Sequence, residues 1–229
     1  MKSVGVIGGL GPETTANFYL EVIFRCQKLN SNQRPSIVIG SVPLLFEIER
    51  DLIAHNTGIE RYVPFLQEEA RRLEKSGVDF LVMPCNSLHV FIDEIRAAVS
   101  IPVLSIVEET IKYLNSKEIK KVGLISTSAT IENKVYESKL SESGIEYVTP
   151  AEDQRSNIDA IIQRLVSGEH LDEDRKFLID VADDLSGQGV LCVALACTDL
   201  QLLNPQSEQV EIFDTMKILA DSTVARILS

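Results

Sequence analysis

The stretch "KSVGVIGG" at residues 2–9 recurs 118 positions later as "KKVGLIST" at residues 120–127. Each is a β-branched apolar run that ends in small residues, which is typical of a buried strand leading into a loop. Its recurrence in the second half of the chain favours a duplicated α/β unit. We expect the two halves to pack against each other, because no low-complexity linker separates them.

Eight apolar, β-branched runs are distributed along the chain, and most segments between them are long, charged and helix-periodic. Strands that are apolar throughout and alternate with helices indicate parallel sheets covered on both faces. The clearest helical segments are 14–29, 60–75 and 171–185. The predicted fold class is therefore α/β, with four parallel strands in each half. The runs are 4–8, 36–42, 79–84, 103–107, 121–126, 145–150, 190–196 and 210–214.

Composition and charge argue against several classes of protein. The net charge of −12 makes nucleic acid an unexpected partner, since phosphate binding needs a basic face. No apolar run approaches the ~20 residues that span a bilayer, and no basic-then-apolar leader is visible, so we expect a cytoplasmic protein without a membrane partner. Four cysteines in 229 residues do not make a disulfide framework, and we expect free thiols.

Two of these cysteines end predicted strands. The stretches "MPCNSLH" (83–89) and "ALACTDL" (194–200) place Cys85 and Cys197 at similar points of the two halves. Residues of helix-capping type follow each cysteine, and a helix N-terminus favours thiolate over thiol. Because ligands of α/β sheets bind at the carboxyl ends of strands, a cleft between the halves would have one thiol on each side. The alternative is two buried, inert cysteines.

Two other interpretations of the cysteines stay open. A zinc site could use Cys85, His89, Cys192 and Cys197, but residues 192 and 197 would point to opposite faces of a strand. A Cys–His hydrolase could use His89, one helical turn from Cys85, or His55, for which no argument fixes a position. We expect His89 and His170 to be structural or solvated.

A loop follows the first strand of each half. The stretch "GGLGPETT" (8–15) lacks the residues of a phosphate-binding P-loop and of a dinucleotide fingerprint. Its backbone N–H groups could hold a small anion such as a carboxylate, although a tight strand–helix turn is an equally good interpretation. The matching loop, "STSAT" (126–130), is rich in hydroxyl donors. Arg50 could clamp a carboxylate through two hydrogen bonds or could simply be solvated.

A carboxylate cleft with a thiol on each side suits one kind of chemistry. One thiolate would remove a proton from a carbon acid, and the opposite thiol would deliver a proton to the other face. This inverts a stereocentre without a metal, redox or organic cofactor. An α-hydrogen is far less acidic than a thiol, so the site must supply well over ~10 kcal/mol. Asp199 could keep Cys197 protonated when that thiol acts as an acid.

The cysteine stretches and "GGLGPETT" resemble the aspartate/glutamate racemase superfamily, above all its aspartate racemase branch. The resemblance covers nearly the whole chain, including 150–162 and 212–215. It implies two four-stranded α/β domains related by a pseudo-twofold axis with the active site between them, no cofactor, an amino-acid substrate and a homodimer. We expect the first domain to comprise 1–102 plus 210–229 and the second 103–209.

The resemblance also implies roles for particular residues. Cys85 and Cys197 would be the catalytic pair, and Arg50 would bind the distal carboxylate of the substrate. Gly11 would lie near the substrate in the first loop. The remaining expected substrate-binding residues carry amide or hydroxyl groups near the two cysteines. They are Asn86, Ser87, Thr127 and Thr198.

The chain departs from the family pattern at two positions. Ala196 and Asp199 flank Cys197 and Thr198 where the family usually reads Gly-Cys-Thr-Glu, and Ser167 replaces a lysine of some aspartate racemases. Aspartate is the expected substrate, with glutamate or a broader set open. The alternatives are maleate isomerisation, hydantoin racemisation and a non-catalytic carboxylate-binding module. The presence of both cysteines argues against the single-thiol decarboxylases of the superfamily.

Overall fold

The computed structural model describes residues 1–30, 32–55 and 57–229, with residues 53–55 described by their backbone only. Strands and helices alternate along most of these residues. The strands are β1 (Val4–Gly8), β2 (Ile37–Ser41), β3 (Phe80–Val82), β4 (Val103–Leu104), β5 (Lys121–Ile125), β6 (Glu146–Val148), β7 (Cys192–Leu195) and β8 (Glu211–Asp214). The α-helices are α1 (Pro12–Leu29), α2 (Phe46–His55), α3 (Val63–Lys75), α4 (Ile92–Ala97), α5 (Ile106–Ser116), α6 (Ser128–Glu132), α7 (Glu137–Glu142), α8 (Glu152–Val166), α9 (Asp172–Ser186) and α10 (Thr215–Leu228).

The strands form two parallel sheets with the same order. The first sheet runs β2-β1-β3-β4 and the second runs β6-β5-β7-β8, so each strand of one sheet has a counterpart four strands later in the chain. Helices flank both sheets, and the two-domain α/β fold predicted from the sequence is confirmed. The shared strand order is what a duplicated unit with pseudo-twofold symmetry produces.

The strand pairing corrects the expected domain boundaries at two points. Val103 and Leu104 pair with β3, so β4 belongs to the first sheet and not to a segment starting at 103. Glu211–Asp214 pairs with β7, so β8 belongs to the second sheet and not to the first domain. Backbone hydrogen bonding decides the sheet to which a strand belongs, and local sequence does not reveal it. The rest of the division stays a prediction.

Alternate residues of the central strands enter different cores, as the period of a strand requires. Even-numbered residues of β3 and β7 pack into a core shared by both sheets, which α1, α5 and α10 complete. Odd-numbered residues of β3 pack beneath α2 and α3, in a core of the first half. Those of β7 pack beneath α8 and α9, in a core of the second half. The shared core thus joins the two halves.

The predicted helices agree with the structure to within a few residues. Helix α1 begins at Pro12, a residue favoured in the first turn because its missing N–H has no partner there in any case. A short 3₁₀ helix, Ile59–Tyr62, precedes α3, and Pro64 lies in the first turn of α3. Within the described residues, no helix combines the length and the apolarity needed to cross a bilayer.

Candidate active site

The two predicted catalytic cysteines occupy equivalent positions at the carboxyl ends of β3 and β7. Cys85 continues the odd-numbered face of β3 and packs in the core of the first half. Cys197 continues the odd-numbered face of β7 and packs in the core of the second half. Both are free thiols and both are buried, with 8% and 7% of their surface exposed. The duplicated fold therefore brings two thiols to one place from two directions.

Both thiols line a cavity of about 60 Å³ between the halves. This volume is below the ~300–1,000 Å³ of pockets for drug-sized ligands, and it favours a small molecule. Six of the eight predicted site residues line the cavity, whereas Gly11 and Arg50 do not. Its walls are Leu10, Leu44, Glu49, Leu52, Tyr62, Cys85, Asn86, Ser87, Leu88, Thr127, Thr130, Ile162, Val166, Ala196, Cys197, Thr198 and Asp199.

Two of the predicted substrate donors hold the halves together. The Thr198 hydroxyl donates to the Pro84 carbonyl at 3.3 Å, which joins the residue after one cysteine to the residue before the other. The Asn86 amide donates to Thr215 Oγ1 at 3.1 Å, and its Oδ1 accepts from the Tyr136 hydroxyl at 2.5 Å. These bonds fix the spacing of the two cysteine loops. The expected role of both residues as substrate donors stays a prediction.

Thr127 and Ser87 place hydroxyl groups at the cavity that can form further hydrogen bonds. Thr127 is the N-cap of α6, where its hydroxyl oxygen accepts from the Thr130 N–H at 3.1 Å. The hydroxyls of Thr127 and Thr130 are also within hydrogen-bond distance of each other, at 2.9 Å. Ser87 Oγ lies 3.8 Å from Cys85 Sγ. Such hydroxyls can rotate to donate to a bound carboxylate.

The acidity of the thiols differs from the sequence-based expectation. Burial raises the pKa of Cys85 to about 11, and Asp199 adds to this, although backbone N–H groups of Leu88 and Ser87 and the Ser87 hydroxyl act in the opposite direction. Burial, with the nearby Asp199 carboxylate, raises the pKa of Cys197 well above its ordinary value. The prediction that loop and helix N–H groups make these thiols more acidic is wrong in net direction, because the loss of hydration outweighs those hydrogen bonds.

The capping prediction is also wrong. Each cysteine is followed by a short 3₁₀ helix, Ser87–Phe91 or Leu200–Leu203, and neither Asn86 nor Asp199 caps it with a side-chain hydrogen bond. Both side chains bond to distant parts of the chain instead. Tertiary contacts of this kind have no signature in the local sequence.

Asp199 is buried between Cys197 and the first loop. Its Oδ1 accepts from the Thr14 hydroxyl at 2.5 Å. A Cβ on Gly11 would lie 2.8 Å from the same oxygen, and Gly11 has φ +150°, so only glycine fits. Burial raises the pKa of Asp199 to about 6, and Glu49 adds to the effect. Gly11 thus makes room for Asp199 and does not form a wall of the cavity.

His89 connects the Cys85 loop to the start of α5. Its Nε2 accepts from the Ile106 N–H at 3.1 Å, so the proton is on Nδ1, which donates to the Cys85 carbonyl at 2.5 Å. Burial lowers the pKa of His89 to about 4. Both ring nitrogens are occupied, so His89 is not available as a base for Cys85 and has the structural role expected of it. His170 Nε2 lies 3.1 Å from Glu13 Oε2 at the surface.

The structure does not bring together the proposed zinc ligands. Cys192 packs in the shared core, whereas Cys197 lies in the core of the second half. Among the described residues, no three His, Cys, Asp or Glu side chains are grouped so that they could hold a metal ion. The His55 side chain, the other candidate base, lies outside the described residues.

Helix α2 presents Glu49, and not Arg50, to the cavity. Ile48 and Leu52 are buried on this helix, and Glu49 lies beside that stripe. Arg50 is exposed and does not line the cavity. The spacing of Ile48 and Leu52 was the available signal, since it fixes which face of the helix points inward. Ser167, the second departure from the family pattern, is exposed at the end of α8.

A protein-family model matches most of the chain. The model described as "Asp/Glu/Hydantoin racemase" matches residues 7–223, and the chain belongs to that family. A Bacillus subtilis (strain 168) protein described as "Broad specificity amino-acid racemase RacX" is 32% identical over 231 residues, which are 99% of this chain and 98% of that protein.

Solved structures of other proteins have the same fold. A Yersinia pestis protein assigned provisionally to the Asp/Glu racemases has a TM-score of 0.85 and 29% identity over the full length of both chains. The Picrophilus torridus aspartate racemase has a TM-score of 0.82, with coverage of 99% of this chain and 94% of that one. Its 23% identity makes it evidence for the fold alone.

Proposed function

We propose that the protein is an amino-acid racemase in which Cys85 and Cys197 act from opposite faces of the substrate's α-carbon. The observation that carries the proposal is the pair of buried thiols in one small cavity, at equivalent strand ends of a duplicated fold. Membership of the racemase family supports it. The two thiols carry out both proton transfers, so this chemistry requires neither a histidine base nor a metal ion.

The reaction is a transfer of two protons without net oxidation or reduction. One cysteine, as thiolate, takes the α-proton, and the electron pair of the broken C–H bond delocalises into the α-carboxylate. The other cysteine, as thiol, gives its proton to the opposite face of the carbon and becomes the thiolate. The cysteines exchange roles in the reverse direction, as microscopic reversibility requires.

One thiol must lose a proton to solvent before this cycle begins. Burial and the Asp199 carboxylate oppose that ionisation at both cysteines. At Cys197 the carboxylate ranks directly after burial, whereas at Cys85 it ranks below hydrogen bonds from Leu88 and Ser87, which favour the thiolate. We infer that Cys85 is the thiolate and Cys197 the thiol when a substrate arrives. The positive α-ammonium group then stabilises the thiolate, and hydroxyls such as those of Thr127 and Thr130 donate to the carboxylate where charge develops.

The expectation of aspartate as substrate depends on Arg50, which the structure leaves exposed. We therefore propose racemisation of α-amino acids in general, with aspartate and glutamate as two candidates among several. The description of the Bacillus subtilis relative as a broad specificity enzyme supports this wider proposal. A hydantoin racemase, a maleate isomerase or a carboxylate-binding module are the remaining alternatives.

Deuterium exchange tests the proposal directly. The metal-free and pyridoxal-free protein is incubated in D₂O with single L-amino acids, including aspartate, glutamate, lysine and norleucine. We expect the D-enantiomer to appear with deuterium at the α-carbon of at least one of them. Binding without exchange for every amino acid would contradict the proposal and leave the binding module.

We also propose that the protein is a homodimer, the assembly expected from the sequence. Several large apolar side chains are exposed on α1 and at the start of α2, among them Leu20, Phe24 and Phe46. Exposed apolar groups of this size are a common feature of subunit interfaces. Light scattering should give twice the mass of one chain, and the mass of a single chain would contradict the dimer.

A further inference from the structure

We propose that this cavity selects amino acids with a long aliphatic side chain that ends in a cation, and that Glu49 pairs with that cation. Lysine and ornithine are substrates of this chemical class. The inference rests on the proposed racemase function and names the substrate class for the same cavity. It departs from the dicarboxylic substrate expected from the sequence.

The charges on the cavity wall are negative. Glu49 and Asp199 are the charged residues among the described side chains that line it, and no lysine or arginine is among them. The two carboxylates are close enough for Glu49 to raise the pKa of Asp199. A second carboxylate on the substrate would meet repulsion here, whereas a second cation would be attracted. The chain's net charge of −12 acts in the same direction on an approaching cation.

Glu49 differs from the other acids of α2 in forming no ion pair with a described side chain. Its neighbours Glu47 and Asp51 both pair with Arg61, at 2.7 and 2.9 Å. No hydrogen bond or ion pair joins Glu49 to another described side chain, although it is half-buried in the cavity wall. Arg50, the next residue, points to solvent. A half-buried carboxylate without a partner is a suitable counter-ion for a ligand.

The rest of the wall fits the aliphatic part of such a substrate. Around Glu49 the cavity is apolar, and a methylene chain can lie along it while its charged end reaches the carboxylate. These apolar residues come from both halves of the molecule. They are Leu10, Leu44, Leu52, Ile162 and Val166.

The two acids are placed for two different cations. Asp199 is two residues from Cys197 and lines the same cavity, so in a bound substrate it would be near the α-ammonium group. Glu49 is on α2 beside Leu52 and close enough to Tyr62 to raise the pKa of its phenol. Glu49 is thus placed for the end of the side chain and Asp199 for the α-ammonium group.

The test compares three substrates of similar length: L-lysine, its uncharged analogue L-norleucine, and L-glutamate. For the parent protein we expect kcat/KM for lysine to exceed that for norleucine about tenfold and that for glutamate about a hundredfold. Glu49→Gln should lower the lysine-to-norleucine ratio about tenfold. Glu47→Gln is the matched control, since it removes an acid from the same helix outside the cavity, and it should leave the ratio unchanged.

Each possible result bears on the proposal. Glutamate or aspartate as the best substrate of the parent protein would overturn the selectivity and leave the racemase function standing. Equal losses for lysine and norleucine in Glu49→Gln would assign Glu49 to the α-ammonium group and overturn its role in selection. Absence of α-deuteration with every amino acid would overturn the racemase function and this inference with it.

Discussion

The ends of β3 and β7 are alike in geometry and different in charge. Each strand directs a cysteine from its odd-numbered face into the same cavity. Two residues further on, the first half has Ser87, whose hydroxyl lies 3.8 Å from Cys85 Sγ, and the second half has the buried acid Asp199. Duplication thus supplies the symmetric placement of two thiols, and the residues that follow them give the two thiols different surroundings.

This difference suits a reaction that needs opposite protonation states. Two thiols in identical surroundings would have equal pKa values, so neither would be the preferred thiolate before the substrate binds. The Asp199 carboxylate raises the pKa of both thiols, but at Cys85 it ranks below hydrogen bonds from Leu88 and Ser87 that favour the thiolate, so that Cys85 ionises more readily. An inverting enzyme must still work in both directions, which requires the bias to be modest compared with the energy supplied by the bound substrate.

The largest effect should follow removal of either thiol. We expect Cys85→Ala and Cys197→Ala each to lower the rate of racemisation by ~10²–10⁴, because each removes one of the two proton-transfer groups. Chiral chromatography of the product measures the loss. Cys26→Ala is the matched control, since Cys26 is a buried thiol in the shared core. Wild-type rates in either active-site variant would show that the two strand ends do not act as a catalytic pair.

A second comparison concerns the residue four positions after each cysteine, His89 or Gln201. His89 bridges the Cys85 carbonyl and the Ile106 N–H, whereas Gln201 Nε2 is buried with no partner among the described residues. His89→Ala leaves a buried N–H unpaired, so we expect the free energy of unfolding to fall by about 1–3 kcal/mol. Gln201→Ala should lower the free energy of unfolding by a smaller amount. Urea denaturation measures both, and equal costs would contradict the role of His89 as a bridge.

The pH dependence of stability tests the same bridge. The pKa of His89 is lowered from 6.5 to about 4, so the folded state favours the neutral ring. Its contribution is complete above pH 6.5 and is lost as the pH falls toward 4, where the unfolded chain binds the proton first. His89→Ala should remove this part of the slope. Asp199 and Asp214, with pKa values raised to about 6, act in the opposite direction, so variant and parent are compared at each pH.

The sequence predicts the fold well because the relevant signals are local. A buried parallel strand is visible as an apolar run, and the recurrence of "KSVGVIGG" shows the duplication without any knowledge of contacts. The sheet to which β4 or β8 belongs depends on hydrogen bonds to β3 or β7, which the runs themselves do not encode. Domain boundaries were accordingly the part of the fold prediction that needed correction.

The sequence likewise predicts some features of the candidate site and not others. Cys85 and Cys197 could be found because each ends an apolar run at a matching point of the repeat. The direction of their pKa shifts could not, since burial by residues from both halves outweighs the neighbouring N–H groups. The exchange of Arg50 for Glu49 on the cavity wall is a shift of one residue along α2, and the spacing of Ile48 and Leu52 could have indicated it.

The smallest predicted effect is the most specific test of the charge difference between the strand ends. Because Cys85 and Cys197 are almost equally buried, unequal reactivity must come from their surroundings and not from access. We expect iodoacetamide to alkylate Cys85 about tenfold faster than Cys197, with the ratio increasing as the pH rises past about 6 and Asp199 ionises. Peptide mass spectrometry measures the two rates.

Asp199→Asn should reduce that ratio to within about threefold, since loss of the carboxylate lowers the pKa of both thiols and has the larger effect on Cys197, where Asp199 ranks directly after burial as a cause. Asp214→Asn is the matched control. It removes another buried acid with a pKa near 6, at the end of β8 and outside the cavity wall, and asparagine can still cap α10. A ratio unchanged by Asp199→Asn, or lowered equally by Asp214→Asn, would mean that this carboxylate does not distinguish the two thiols.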